Sequence, residues 1–312
     1  MLFNSAEFVP NSARERLVAP ISRVVLRLAL KPALSPNIPI PWQRWWLSQV
    51  VQSTRPRGRM DVQSGVLSGV AGEWVRPRRL TANTKTRATI LYLHGGAYCV
   101  GSAATHRAVT SHLAQTTDLP VFAADYRLAP EHPFPAAVDD AISVYRSLLE
   151  MGPVVIAGDS AGGGLSLATA LGVRQRHISP PAALVLFSPW VDLTTSAFSD
   201  MASKAEPMLS TPWLNACARH YLAGQDAMTP LASPIYGELC GLPPTLIQSG
   251  SDELLYGDAV RVHDALVNAG VAVRCEIMPS RWHVIQLHAG MLPSANAAIE
   301  RAGNFISLNL AS

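Results

Sequence analysis

The chain has 312 residues, 48% hydrophobic and 15% charged, with a formal net charge of +3. That apolar share supplies a large core and excludes a disordered chain. The mild basic excess comes without a dense basic run, which argues against a nucleic-acid partner.

Near the N-terminus, the most apolar stretch, residues 17–34, is broken by Pro20, Arg23, Arg27, Lys31 and Pro32. Neither a secretory core nor stable membrane insertion is therefore expected. Arg23, Arg27 and Lys31 recur every four residues, which places them on one helical face, with Val24, Val25 and Leu28 elsewhere. The expected arrangement is a helix whose apolar side is buried on the rest of the fold. After Pro36, Pro39 and Pro41 a second helical stretch carries Trp42, Trp45 and Trp46, read as packing residues.

From residue 62 the texture changes. Residues 62–75 hold short β-like runs separated by Gly65, Gly69 and Gly72. Short apolar runs then predict buried parallel strands at 89–93, 120–124, 154–157, 183–187 and 245–248, with a further strand within 271–278. Helical stretches fall between them at 105–117, 136–150, 162–176 and 258–269. Strand alternating with helix predicts an α/β fold, a mostly parallel central sheet with helices on both faces. The rhythm breaks at 195–230, where another helix, 211–222, is predicted. That insertion and residues 1–50 are expected to form a helical cap over a catalytic domain spanning residues 51–312.

Two strand ends carry chemistry. Gly158-Asp159-Ser160-Ala161-Gly162 follows the run at 154–157 and opens a helix. A strand running into G-x-S-x-G and then a helix is the context of a nucleophile elbow, where small neighbours allow the tight turn that exposes the serine. Ser160 is the candidate nucleophile. Leu93-His94-Gly95-Gly96-Ala97 ends the run at 89–93. Acyl transfer needs backbone N–H donors already aimed at a developing oxyanion, each worth about 3–4 kcal/mol of barrier. Gly95, Gly96 and Ala161 are the expected donors, with His94 as an anchor of the loop.

Four separated motifs resemble the bacterial hormone-sensitive-lipase-like esterases of the α/β-hydrolase superfamily. They are His94-Gly95-Gly96, the run from Asp125 to Ala136, Gly158-Asp159-Ser160-Ala161-Gly162-Gly163, and Ser188-Pro189-Trp190-Val191-Asp192-Leu193. They occur in family order from about residue 60 onward, whereas the first 50 residues match only as a cap. Ala97 departs from the family, which usually has a third glycine there, although alanine still donates its N–H. The resemblance implies a serine hydrolase of short- to medium-chain esters that uses neither metal nor organic cofactor. Asp125, Arg127 and Glu131 are read as scaffold bracing the cap.

This fold orders its triad as serine, acid, histidine. His283 follows the last predicted strand, where the family's base sits. His288, five residues on, is the competitor. For the acid, counting from Pro244 without a gap, or back from Gly270 and His283, puts Glu253 at the family position. Asp252 is the alternative and needs a one-residue shift. The expected partner is a small-molecule ester, and a homodimer is left open. A non-catalytic receptor on the same fold would be marked by a missing base, and His283 is present. Sequence does not reject amide or lactone substrates. The four cysteines, Cys99, Cys217, Cys240 and Cys275, show neither C-x-x-C nor zinc spacing, and are expected to be reduced thiols of a cytoplasmic protein.

Overall fold

The computed structural model describes residues 2–4, 8–52, 60–78, 80, 88–195, 198 and 206–311. The strands are β1 (Leu2–Asn4), β2 (Met60–Leu67), β3 (Val70–Pro77), β4 (Thr89–Leu93), β5 (Val121–Ala124), β6 (Val154–Asp159), β7 (Ala183–Phe187), β8 (Thr245–Gly250) and β9 (Val273–Met278). The helices are α1 (Ala13–Val25), extended by a π turn at Leu26–Leu30, α2 (Ile40–Gln52), α3 (Arg107–Thr117), α4 (Ala136–Leu149), α5 (Ala161–Gln175), α6 (Thr211–Leu222), α7 (Tyr256–Asn268) and α8 (Pro293–Asn309). The strands form one nine-stranded sheet in the order β1-β9-β8-β7-β6-β4-β5-β3-β2. From β1 to β5 all neighbours are parallel, while β2 and β3 add an antiparallel hairpin at one edge.

Residues 90–93, 154–157 and 183–187 of the central strands β4, β6 and β7 are apolar because both faces are covered, and successive side chains enter different layers. Leu91, Leu93, Ile156, Leu184 and Leu186 belong to one core. Their neighbours Ile90, Tyr92, Val155, Ala157 and Val185 belong to the other. β2 and β3 turn at Ser68 and Gly69, both at positive φ (49° and 81°), as a two-residue hairpin turn requires. Chain order reverses around β4: β5 lies on one side of it, and β6, β7, β8 and β9 follow on the other. The C-terminal ends of parallel strands beside such a reversal are where α/β sheets open a crevice for a ligand.

Two expectations about the N-terminal 50 residues change. Leu2–Asn4 do not serve the cap but pair in parallel with β9 at the sheet edge. α1 lies over the fold as expected, yet its apolar side faces outward. Glu15, Ala19 and Ser22 of α1, with Leu26 after it, are buried, whereas Leu17, Ile21, Val24, Val25 and Leu28 are exposed. The inward face is chosen by polar contacts. Glu15 is buried in an ion pair with Arg281 at 2.7 Å and accepts from Ser294 N at 2.9 Å. The tryptophans of α2 pack on one another rather than in the core: Trp42 and Trp46 stack with centroids 5.6 Å apart, and Trp42 and Trp45 are exposed. Within the insertion at 195–230, residues 196–197 and 199–205 lie outside the described residues, and α6 forms as predicted. Trp213 of α6 donates from Nε1 to Gln43 Oε1 of α2 at 2.8 Å, tying the insertion to the N-terminal helices.

The run from Asp125 to Ala136 acts as scaffold. Arg127 pairs with Asp140 at 2.7 Å, and Glu131 with Arg44 of α2 at 2.7 Å. Among the described residues no helix is long and apolar enough to cross a membrane. All four cysteines are free thiols, and Cys240 alone of them is exposed.

Candidate active site

β6 is the middle strand of the sheet, and the chain reverses immediately after it. Ser160 has φ 52° and ψ −122°, a left-handed conformation that costs a non-glycine residue about 1–3 kcal/mol. Its backbone is clamped: Ser160 N donates to Phe187 O at 2.8 Å, and Ser160 O accepts from Trp190 N at 2.9 Å. The flanking glycines are a steric necessity. A Cβ on Gly158 would strike Gly162 O, and one on Gly162 would strike Leu93 O. Ser160 thus caps α5, whose first N–H groups have no intrahelical partner and whose dipole favours negative charge there.

The loop after β4 lies beside this turn, and one expected donor is already engaged. Gly95 N donates to Asp159 Oδ1 at 3.1 Å, and a Cβ at Gly95 would strike Asp159 Oδ2. Gly95 is therefore not available to an oxyanion, which corrects the sequence expectation. The next peptide takes its place, because the backbone turns to positive φ at Gly96 (122°), Ala97 (52°) and Tyr98 (61°). Among the described residues no protein acceptor takes the N–H of Gly96 or Ala97, and Ala161 is the first residue of α5. Gly96, Ala97 and Ala161 are the donors this geometry leaves open.

Asp159, given no role by the sequence reading, organises the loop. Its buried carboxylate accepts from Tyr92 Oη at 2.6 Å, from Gly95 N, and from His106 Nε2 at 3.3 Å. Burial opposes its ionisation, but His106 and Tyr92 outweigh that and hold the carboxyl below its ordinary range. His94 is an anchor, as expected. It stacks on Tyr126 with centroids 4.4 Å apart, and burial pushes its pKa down to about 3. A neutral ring with Nδ1 2.8 Å from Gly95 O braces the loop.

The loops after β8 and β9 bring Glu253 to His283. Glu253 is fully buried, and its Oε2 stands 3.7 Å from His283 Nδ1, within ion-pair range and longer than a hydrogen bond. Two serines hold this carboxylate. Ser249 Oγ donates to Oε1 at 2.6 Å, and Ser188 Oγ donates to Oε2 at 2.7 Å. Ser188 Oγ also accepts from Val284 N at 3.0 Å, so one hydroxyl sets both the acid and the residue after the histidine. Asp252 is placed elsewhere, with Oδ2 2.8 Å from Arg23 Nη2 of α1. His288 lies edge-on to Trp282, and burial lowers its pKa to about 4.

A second carboxylate enters from the insertion. Glu206 is fully buried, and its Oε1 accepts from Met208 N at 2.7 Å. Its Oε2 accepts from Leu254 N at 3.3 Å, next to Glu253. Burial pushes the Glu206 carboxyl up, opposed by the field of His283. Burial disfavours the His283 imidazolium, but Glu253, Glu206 and Asp159 together hold its pKa above the ordinary 6.5. No spacing rule links residue 206 to 253 or 283, so only the fold reveals this neighbour.

The chain matches the family model described as alpha/beta hydrolase fold over residues 90–287, more than half its length. It is 46% identical over 239 residues to an acetyl-hydrolase of Streptomyces hygroscopicus, covering 75% of this chain and 78% of that one. It is 37% identical over 245 residues to an esterase of Acinetobacter venetianus, covering 77% and 79%. Among solved structures, EstE5 superposes with a TM-score of 0.88 at 35% identity, over 96% of this chain and 100% of that one. An esterase from the bacterial hormone-sensitive lipase family superposes with a TM-score of 0.85 at 33% identity, over 97% and 100%. By fold, motifs and relatives, the chain belongs to the bacterial hormone-sensitive-lipase-like esterases of the alpha/beta hydrolase fold.

Proposed function

We propose that Ser160, His283 and Glu253 act as nucleophile, base and acid in the hydrolysis of short- to medium-chain carboxylic esters. The chain is a carboxylic ester hydrolase. The observation that carries the role assignment is the meeting of Glu253 and His283, from two separate loops, along the strand ends that also bear Ser160.

In the first half-reaction His283 takes the Ser160 proton as Ser160 Oγ attacks the ester carbonyl carbon. The carbonyl oxygen becomes an alkoxide and accepts from the N–H groups of Gly96, Ala97 and Ala161. His283 then gives its proton to the leaving alcohol as the C–O bond breaks. In the second half-reaction His283 deprotonates water, water attacks the acyl-enzyme, and the proton returns to Ser160 Oγ as the acid leaves. Glu253 keeps the imidazole in the required tautomer and offsets its charge. No step calls for a metal or a cofactor. Residues 8–52 and the insertion around α6 form the cap. A cytoplasmic setting belongs to this reading.

A base must be neutral to accept a proton. With its pKa raised, His283 reaches that form only above pH 6.5. The acidic limb of kcat/KM is therefore expected to rise through a pKa above 6.5. Glu206→Gln is expected to move that limb to lower pH, because a carboxylate that favours the imidazolium has been removed. A pH profile of both proteins checks this, and an unmoved limb in the variant would contradict the role given to Glu206.

The acyl range agrees with the name acetyl-hydrolase for one relative and with EstE5 having been soaked with p-nitrophenyl butyrate. A p-nitrophenyl ester series from acetate to palmitate tests it. The expected kcat/KM peaks between acetate and octanoate and falls at least about ten-fold at palmitate. A maximum at palmitate would contradict the acyl range. Absence of turnover across the series would contradict the reading itself.

A further inference from the structure

The outward apolar face of α1 is not explained by the site. Leu17, Ile21, Val24 and Leu28 follow the i, i+4, i+7, i+11 spacing of one helical stripe, and with Val25 each is more than half exposed. The opposite stripe, Glu15, Ala19, Ser22 and Leu26, is buried at the same spacing. A surface helix normally has this polarity the other way round. α2 continues the apolar face, since Trp46 Nε1 donates to Ala29 O at 3.2 Å and Trp42 and Trp45 stand exposed beside Trp46.

The charge on this segment is one-sided. Of the basic residues in 11–52, Arg23 and Arg44 are ion-paired with Asp252 and Glu131 and Lys31 turns inward to Glu206 O, which leaves Arg14, Arg16 and Arg27 exposed, while the single acidic residue, Glu15, is buried in its pair with Arg281. Arg16 and Arg27 are exposed along one edge of the apolar stripe. Apolar side chains with tryptophan on one face and basic residues beside them are the features of a helix lying in the plane of an anionic membrane surface. No described helix is long enough to span, so contact would be at the interface alone. A second copy of the chain fits less well, because a two-fold contact would press this basic excess against itself.

We propose that the outer face of α1, its π turn and α2 docks onto an anionic phospholipid surface. The inner side of the same segment touches the active-site loops: Arg23 pairs with Asp252, beside Glu253, and Lys31 Nζ donates to Glu206 O at 2.8 Å. Docking therefore puts the cap and the site it covers against the phase in which apolar esters collect. The surface is independent of the roles given to Ser160, Glu253 and His283, and its test reads binding rather than turnover.

The test is co-sedimentation of the full chain with vesicles of phosphatidylglycerol and, separately, of phosphatidylcholine, at physiological salt. The comparison is the variant carrying Leu17→Ser, Ile21→Ser and Leu28→Ser. These side chains are exposed, so the variant is expected to fold and to hydrolyse soluble p-nitrophenyl acetate within about two-fold of the parent. The expected result is binding to phosphatidylglycerol at least about ten-fold tighter than to phosphatidylcholine, reduced at least about ten-fold in the variant. No binding to phosphatidylglycerol, or equal binding by both proteins, would overturn the proposal. So would sedimentation velocity showing a dimer of the parent that the variant cannot form, since the face would then belong to a second copy.

Discussion

Ser160→Ala is expected to lower kcat/KM for p-nitrophenyl butyrate by on the order of 10⁴-fold or more, with the fold intact. The backbone at residue 160 is held by groups that alanine keeps: Ser160 N donates to Phe187 O, and Ser160 O accepts from Trp190 N and Gly164 N. Alanine also tolerates the φ of 52° about as well as serine does. The variant therefore removes one oxygen atom and little else. Circular dichroism and the unfolding midpoint are expected to match the parent, so the loss can be read as chemistry. Whatever activity persists would come from the donors of Gly96, Ala97 and Ala161 acting on bound ester and water. Retention of more than about a tenth of parental turnover would exclude Ser160 as the nucleophile.

Glu253→Gln is expected to cost on the order of 10⁴-fold in kcat/KM, while Asp252→Asn stays within about three-fold of the parent. Glutamine has the size of glutamate but no charge, and it presents an N–H₂ group where the carboxylate accepts from Ser188 and Ser249. His283 then lacks the group that fixes its tautomer and supports its positive charge. The acidic limb should move down as well, because Glu253 leads the groups that raise the His283 pKa against burial. Asp252 instead forms a partly exposed pair with Arg23, and such pairs are worth about 0–1 kcal/mol. A large loss in Asp252→Asn with a small one in Glu253→Gln would reverse the assignment.

The parts of this molecule that can be read from its sequence are those set by short stretches of chain. Residues 90–93 of β4, 154–157 of β6 and 183–187 of β7 are continuous apolar runs because both their faces are covered, and such runs stand out against the helices between them. The elbow is legible for the same reason: the steric demand at Ser160 is met by glycines only two residues away on each side. Features set by distant contacts were not legible. Gly95 looked like a donor, but its N–H is taken by a carboxylate 64 residues on. Ser188, which holds Glu253 from 65 residues away, and Glu206 beside it show no regular spacing to it. β1 is three residues long, too short for any periodicity to register. The outward apolar face of α1 is not legible in the sequence because its inward face is joined to the fold by contacts with distant residues, Glu15 with Arg281 and Ser294.

The most direct test of the central claim is labelling with a fluorophosphonate, followed by intact-mass measurement and peptide mapping. Attack by an activated serine displaces fluoride and leaves a phosphonyl ester on Oγ. The account predicts one adduct, on the peptide bearing Ser160, absent from Ser160→Ala and slowed strongly in Glu253→Gln. An unlabelled parent protein, or an adduct on any other residue, would contradict it.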